Sequence, residues 1–244
     1  MRIKLAVCLV LINHWVYAQG SIRPSTFPAL TPVGGLSLNR SDFGTGLKYS
    51  DGSYLSEKGT EVKGTPFFIE DWKKGNVLLK TKERIDTVLL KYNLYTDLLH
   101  VKVDDQEYQF NIDVSEFLLP DPVTNEMALF RSGFNAEPGL NEKSFYQVLY
   151  DGKTKLLLKH KKIIISELTS TPGVKAKVFE DQKSYFILTA SGKMKKIKKK
   201  NKGILDLLEE KKVELKKMAD TNKLKLVTDE EIIKVLEYYD SLIK

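Results

Sequence analysis

The chain of 244 residues has little of what most catalytic sites are made from: one cysteine, Cys8, and three histidines. Cys8 lies inside a leader that the reading below removes, so the processed protein has no thiol and no disulfide. This excludes thiolate nucleophiles, cysteine-bearing metal sites and a disulfide framework. Beyond the leader only His100 and His160 remain, and neither has a second histidine or cysteine at ligand spacing. A metal site would have to assemble from residues distant in sequence. There is no glycine-rich phosphate loop, dinucleotide fingerprint or EF-hand loop, and therefore no expected cofactor. There is also no G-x-S-x-G elbow, and no S-x-x-K at a loop-to-helix junction. No apolar run approaches the roughly 20 residues that span a bilayer.

The first eighteen residues carry Arg2 and Lys4, an apolar run from Leu5 to Ile12, and Val16-Tyr17-Ala18 with small side chains at both ends. This is the pattern of a cleavable signal peptide, with the mature chain starting at Gln19. The expected location is periplasmic, outer-membrane-associated or secreted. The formal net charge of +7 falls to +5 when Arg2 and Lys4 leave. Export makes nucleic acid a poor partner despite the basic balance.

Residues 19–63 are rich in Ser, Thr, Gly and Pro and read as an extended or mobile arm. From Gly64 the rhythm becomes that of a β-meander. Val77 to Lys80, Ile85 to Tyr95, Leu98 to Val103 and Tyr108 to Ile112 alternate apolar and polar residues. Their connections are too short for parallel crossovers, so the strands pair antiparallel. Leu118-Leu119-Pro120-Asp121-Pro122 closes this unit. Asp151-Gly152 between Phe145 to Tyr150 and Lys155 to Lys159 is a strong hairpin signal, and Ser191-Gly192 marks another between Tyr185 to Ala190 and Met194 to Ile197. Ile163 to Phe179 fits no single pattern beyond a turn at Thr171-Pro172-Gly173. After Asn201 the period lengthens. Ile204, Leu207, Leu208, Leu215 and Met218 share one helical stripe. Thr228 with Glu231 forms a capping box for a second helix carrying Ile232, Leu236, Tyr239 and Ile243. The expected fold is α+β: antiparallel β-meander sheets over residues 64–200, then a C-terminal helical pair over 201–244 packed on them.

Gly64-Thr65-Pro66-Phe67-Phe68, Trp72, Lys74-Gly75-Asn76-Val77 and Leu90 to Asp97 together resemble a group of uncharacterised exported proteins of Gram-negative bacteria. That group has a G-[ST]-P-[YF]-[LF] start, a G-x-V strand and an R-Y-N-x-Y-x-[DE] strand end. Val148 to Lys153, Leu156-Leu157 and Tyr238-Tyr239 are similar to later parts of the same group. Lys91 stands where arginine is commoner, and Asp240 where asparagine is expected. The resemblance implies export and this fold, and brings no activity with it.

For function, neither Glu70-Asp71 nor Asp104-Asp105 makes a glycosidase pair by itself, because neighbouring strand residues point to opposite faces. The reading is a non-catalytic binding or assembly role in the cell envelope, with another envelope protein, a peptide or a glycan as partner. One alternative is a periplasmic or secreted hydrolase whose residues converge from separate strands. Another is peripheral binding to an anionic membrane through the lysine-rich segment 193–202, with Lys195, Lys196, Lys198 and Lys199 as its contacts. The bland reading of that segment is a lysine-protected edge strand with Met194 and Ile197 inward. If one face of the meander is open, Asn93 and Tyr95 form a second binding surface.

Overall fold

Alternation of the kind seen in KKGNVLL commits a segment to a sheet, and the computed structural model assembles eleven such segments into one antiparallel sheet. It describes residues 38–40, 54–55, 61–103, 106–110, 113–134, 140–168, 175–197 and 203–243. The leader, most of the 19–63 arm, the Thr171-Pro172-Gly173 turn, Lys198 and Lys199 lie outside the described residues.

The strands are β1 (Leu38–Arg40), β2 (Tyr54–Leu55), β3 (Glu61–Val62), β4 (Lys73–Leu79), β5 (Arg84–Asn93), β6 (Leu98–Val103) and β7 (Gln106–Phe110). They continue as β8 (Val114–Pro120), β9 (Met127–Arg131), β10 (Tyr146–Asp151), β11 (Lys155–Leu168), β12 (Lys175–Leu188) and β13 (Met194–Ile197). The large sheet runs β1-β7-β6-β5-β4-β8-β9-β10-β11-β12-β13, while β2 and β3 pair separately. Two meanders thus grow outward from the central β4–β8 ladder, where Val77 faces Phe117.

β8 is a correction to the sequence reading, which ended a unit there. Phe117 and Leu119 join one apolar cluster with Val77, Leu90 and Phe130, whereas Leu118 joins another with Leu129, Tyr146 and Phe186. A strand covered on both faces shows a continuous apolar run instead of alternation, and so reads like a terminator when proline follows. The segment that resisted placement, Ile163 to Phe179, contributes to the arms of a hairpin in which β11 and β12 pair over fourteen residues each.

The helices follow as α1 (Gly203–Leu207), a 3₁₀ turn (Glu209–Lys211), α2 (Lys212–Thr221) and α3 (Asp229–Leu242). The expected single stripe is divided at Leu208, whose backbone leaves the helical region at φ −106° and ψ 45° while its side chain stays buried. Thr228 Oγ1 accepts from the Glu231 amide, and Glu231 Oε2 accepts from the Thr228 amide, closing the expected capping box. Ile232, Val235 and Leu236 of α3 pack with Leu156, Ile187 and Ile197 of the sheet. None of the described helices is long and apolar enough to cross a membrane.

The sheet also closes on itself. The Lys162 amide of β11 donates to Leu94 O at 3.1 Å, and Lys162 Nζ to Thr65 O at 2.7 Å. Lys63 bridges β12 at Val178, and Phe67 bridges β5 at Asn93. The second meander therefore reaches back over the end of the first.

Candidate functional site

Where β11 crosses the β5–β6 turn, three polar side chains meet in an aromatic surround. Tyr92 is held by its neighbours Phe117, Phe130 and Phe145, with ring centroids 5.2, 5.3 and 5.9 Å away. Its hydroxyl donates to Asp97 Oδ1 at 2.5 Å. Lys159 reaches the same oxygen at 2.6 Å and also donates to Tyr92 Oη at 3.3 Å and to Phe145 O at 3.0 Å. Asp97 can take this position because the turn places it at φ 61°, a left-handed conformation that aspartate tolerates better than most residues. Asn93 builds the turn from below: its Oδ1 accepts from the amides of Tyr95 and Thr96 at 2.9 and 3.1 Å.

The electrostatics follow from burial. Burial, then the charge of Asp97, pushes the Tyr92 phenol well above its ordinary range. Burial lowers the Lys159 pKa, and the Asp97 carboxylate opposes that shift. Each of the three ammonium hydrogens has an acceptor, so Lys159 is an anchor and is not poised as a nucleophile.

Asp97 and Phe145 also line a small cleft of about 170 Å³ with Phe110, Val114 and Ser132. At its edge Asp113 binds both Lys80 at 3.2 Å and Lys143 at 2.8 Å. These two lysines hold the Asp113 carboxyl below its usual range. Ser132 Oγ donates to Val114 O at 2.7 Å and has no base beside it in that bond. The cleft is closer to a set of internally matched charges than to a catalytic constellation.

A second concavity of about 510 Å³ lies on β9 to β12 beside the start of α3, lined among others by His160, Gln147, Lys183 and Tyr185. His160 Nε2 sits 2.6 Å from Gln147 Oε1, with its ring edge-on to Phe68 at 5.2 Å. Burial, then the positive charge of Lys183, lowers its pKa to about 4, so the imidazole is neutral and donates to Gln147. A third groove, of about 660 Å³, separates the β12–β13 turn from the end of α3.

The end of α3 is fixed to the sheet by Asp240. Its Oδ2 accepts from the Tyr150 hydroxyl at 3.0 Å, and its two oxygens accept from the Thr154 amide at 3.0 and 3.1 Å. Burial, then this carboxylate, pushes the Tyr150 phenol up. Lys153 Nζ donates to Ile243 O at 2.6 Å on the last turn.

Of the residues singled out in the sequence, Asn93 is 1 % exposed. That corrects its expected surface role, because its amide is spent inside the turn. Tyr95 is half-buried and packs edge-on against Phe179 at 5.7 Å. Lys195 is half-buried on β13 and lines the third groove, and Lys196 is exposed. No group of three metal-ligating side chains is present among the described residues. Sequence reasoning placed Tyr92, Asp97 and Lys159 in strands and a turn without joining them. The five-residue spacing of Tyr92 and Asp97 acquires meaning only once β11 brings in its lysine.

Comparison with protein-family models, with curated proteins and with solved structures found no match to this chain.

Proposed function

We propose that this chain is an exported cell-envelope protein with a non-catalytic binding role, as its leader and its resemblance to exported proteins imply. One observation supports the non-catalytic part above the others. The polar side chains that meet where β11 crosses the β5–β6 turn consume one another, with Lys159 saturated by Asp97, Tyr92 and Phe145 O. A hydrolase needs a nucleophile and a base in contact, or two opposed carboxylates, and matched internal pairs supply neither. In this reading α2 and α3 act as a helical pair that braces one side of the sheet and frames the grooves.

Two measurements test it. N-terminal sequencing of the protein recovered from the envelope fraction should start at Gln19; an unprocessed chain confined to the cytosol would contradict export. A panel of chromogenic ester, glycoside and peptide substrates should show no turnover above a heat-denatured control. Turnover that disappears in a folded Asp97→Asn variant would replace the binding role with the hydrolase alternative.

A further inference from the structure

The groove between the β12–β13 turn and α3 differs from the other two concavities in its charge balance. In the small cleft Lys80 and Lys143 share Asp113, and Asp97 is paired with Lys159 behind it. The groove beside His160 carries one lysine, Lys183, against several carboxylates that include Asp121, Glu126 and Asp229. In the third groove Lys193 and Lys195 stand on one lip, and neither has an ion pair among the described residues. Lys211 stands on the other lip with Glu209 and Glu210, its nearest carboxylate partner being Glu214 at 3.9 Å. The sequence continues the bias: residues 193–202 hold seven lysines and no acid.

Between these lips runs an apolar strip, Leu207 from α1 with Leu242 and Ile243 at the end of α3, above the buried Ile187 of β12. The volume of about 660 Å³ falls within the roughly 300–1,000 Å³ of small-molecule sites. The α3 wall is already held by Asp240 and Lys153, so an incoming ligand meets a formed surface and does not have to order one. A cationic lip beside an apolar trough matches a molecule with an anionic head and a hydrocarbon tail.

We propose that this groove seats an anionic lipid, with its acyl chain along Leu207, Leu242 and Ile243 and its headgroup between Lys193 and Lys195. This deepens the binding role above and rests on the export reading, since the envelope is where the chain would meet such a lipid.

The test is co-sedimentation of the processed chain with phosphatidylcholine vesicles in which about three lipids in ten are phosphatidylglycerol, against pure phosphatidylcholine vesicles. Binding should require the anionic lipid. The double variant Lys193→Gln/Lys195→Gln should weaken it about thirtyfold, on the order of fivefold per lysine near an anionic surface. Leu242→Asp should weaken it about tenfold or more, because a charge replaces the trough wall, and Leu242→Gln stands in if that variant does not fold. Circular dichroism confirms that each variant keeps its sheet. Equal binding to pure phosphatidylcholine, no binding at all, or displacement by inorganic phosphate would each overturn the proposal. So would a folded Leu242 variant of unchanged affinity, which would reduce the interaction to surface charge. Processing at Gln19 without lipid binding removes the lipid alone, whereas a chain that is never processed removes the export reading beneath it.

Discussion

His160 shows how one side chain in an apolar setting makes the whole fold respond to pH. Its folded pKa of about 4 lies below the ordinary value of 6.5, so the unfolded chain binds a proton more readily than the native one. The stabilising contribution is complete above pH 6.5 and is lost as pH falls through the window down to 4. The full shift corresponds to roughly 3 kcal/mol. Urea titrations at a series of pH values should show this loss, and a His160→Gln variant should flatten it; an unchanged pH slope in that variant would contradict the assignment. Asp240 makes a different prediction. Asp240→Ala removes the acceptor for Tyr150 and Thr154 and should cost about 1–3 kcal/mol, while Asp240→Asn, which keeps one acceptor oxygen, should lose less. Equal losses by chemical denaturation would mean that the carboxylate matters only for its charge. Neither role was legible in the sequence. His160 stood in a lysine-bearing strand pattern, and Asp240 stood out only where the resembling group led one to expect asparagine.

Whole elements were easier to read than their partners, because local periodicity and turn chemistry are written in neighbouring residues. Leu98–Val103 forms over the expected range, and the Asp151-Gly152 signal does lie between paired strands. Thr228 and Glu231 cap α3 as their spacing predicts. Readability failed where tertiary packing set the outcome, as in β8, covered on both faces, and at Leu208, where the helical stripe breaks. Gly75 lies between these cases. It precedes the Val77 to Lys80 run yet lies within β4, and it must be glycine because a Cβ there would clash with Leu118 O of β8 and stand 2.8 Å from Leu90 Cδ1. Backbone cannot yield as a side-chain end can, so Gly75→Ala should destabilise by about 1–3 kcal/mol and alter the β4–β8 amide shifts. A variant with the parent melting temperature would show that the two strands can separate without cost.

At the scale of the molecule, the question is what makes two meanders, joined in the sheet by the β4–β8 ladder, behave as one unit. Helices α1 to α3 brace the second meander, through Leu156, Ile187 and Ile197. A second apolar cluster spans both meanders, joining Leu90, Tyr92 and Val101 of the first to Phe117, Leu119 and Phe130 of the second. Beyond the ladder and this shared cluster, polar links also join them: Lys159 to Asp97 and Tyr92, Lys162 to Leu94 O and Thr65 O, and the backbone of Lys63 to β12. A buried ion pair adds little net stability over an apolar pair, yet removal of one partner strands the other charge at a cost of about 3–5 kcal/mol. Asp97→Asn retains an acceptor at the turn but leaves the Lys159 ammonium, whose side chain is 6 % exposed, without a counter-charge. The cost falls where the two meanders meet, beside the cluster they share. The parent should therefore unfold in one step by both tryptophan fluorescence and far-ultraviolet circular dichroism, whereas Asp97→Asn should separate the two transitions or lower a common midpoint. Because the one tryptophan of the processed chain, Trp72, precedes β4, fluorescence reports on the first half. The companion variant Asp97→Asn/Lys159→Met removes the stranded charge and should recover part of the loss. If the double variant is no more stable than Asp97→Asn, the ion pair is not what joins the two meanders, and the ladder with the shared apolar cluster carries the coupling.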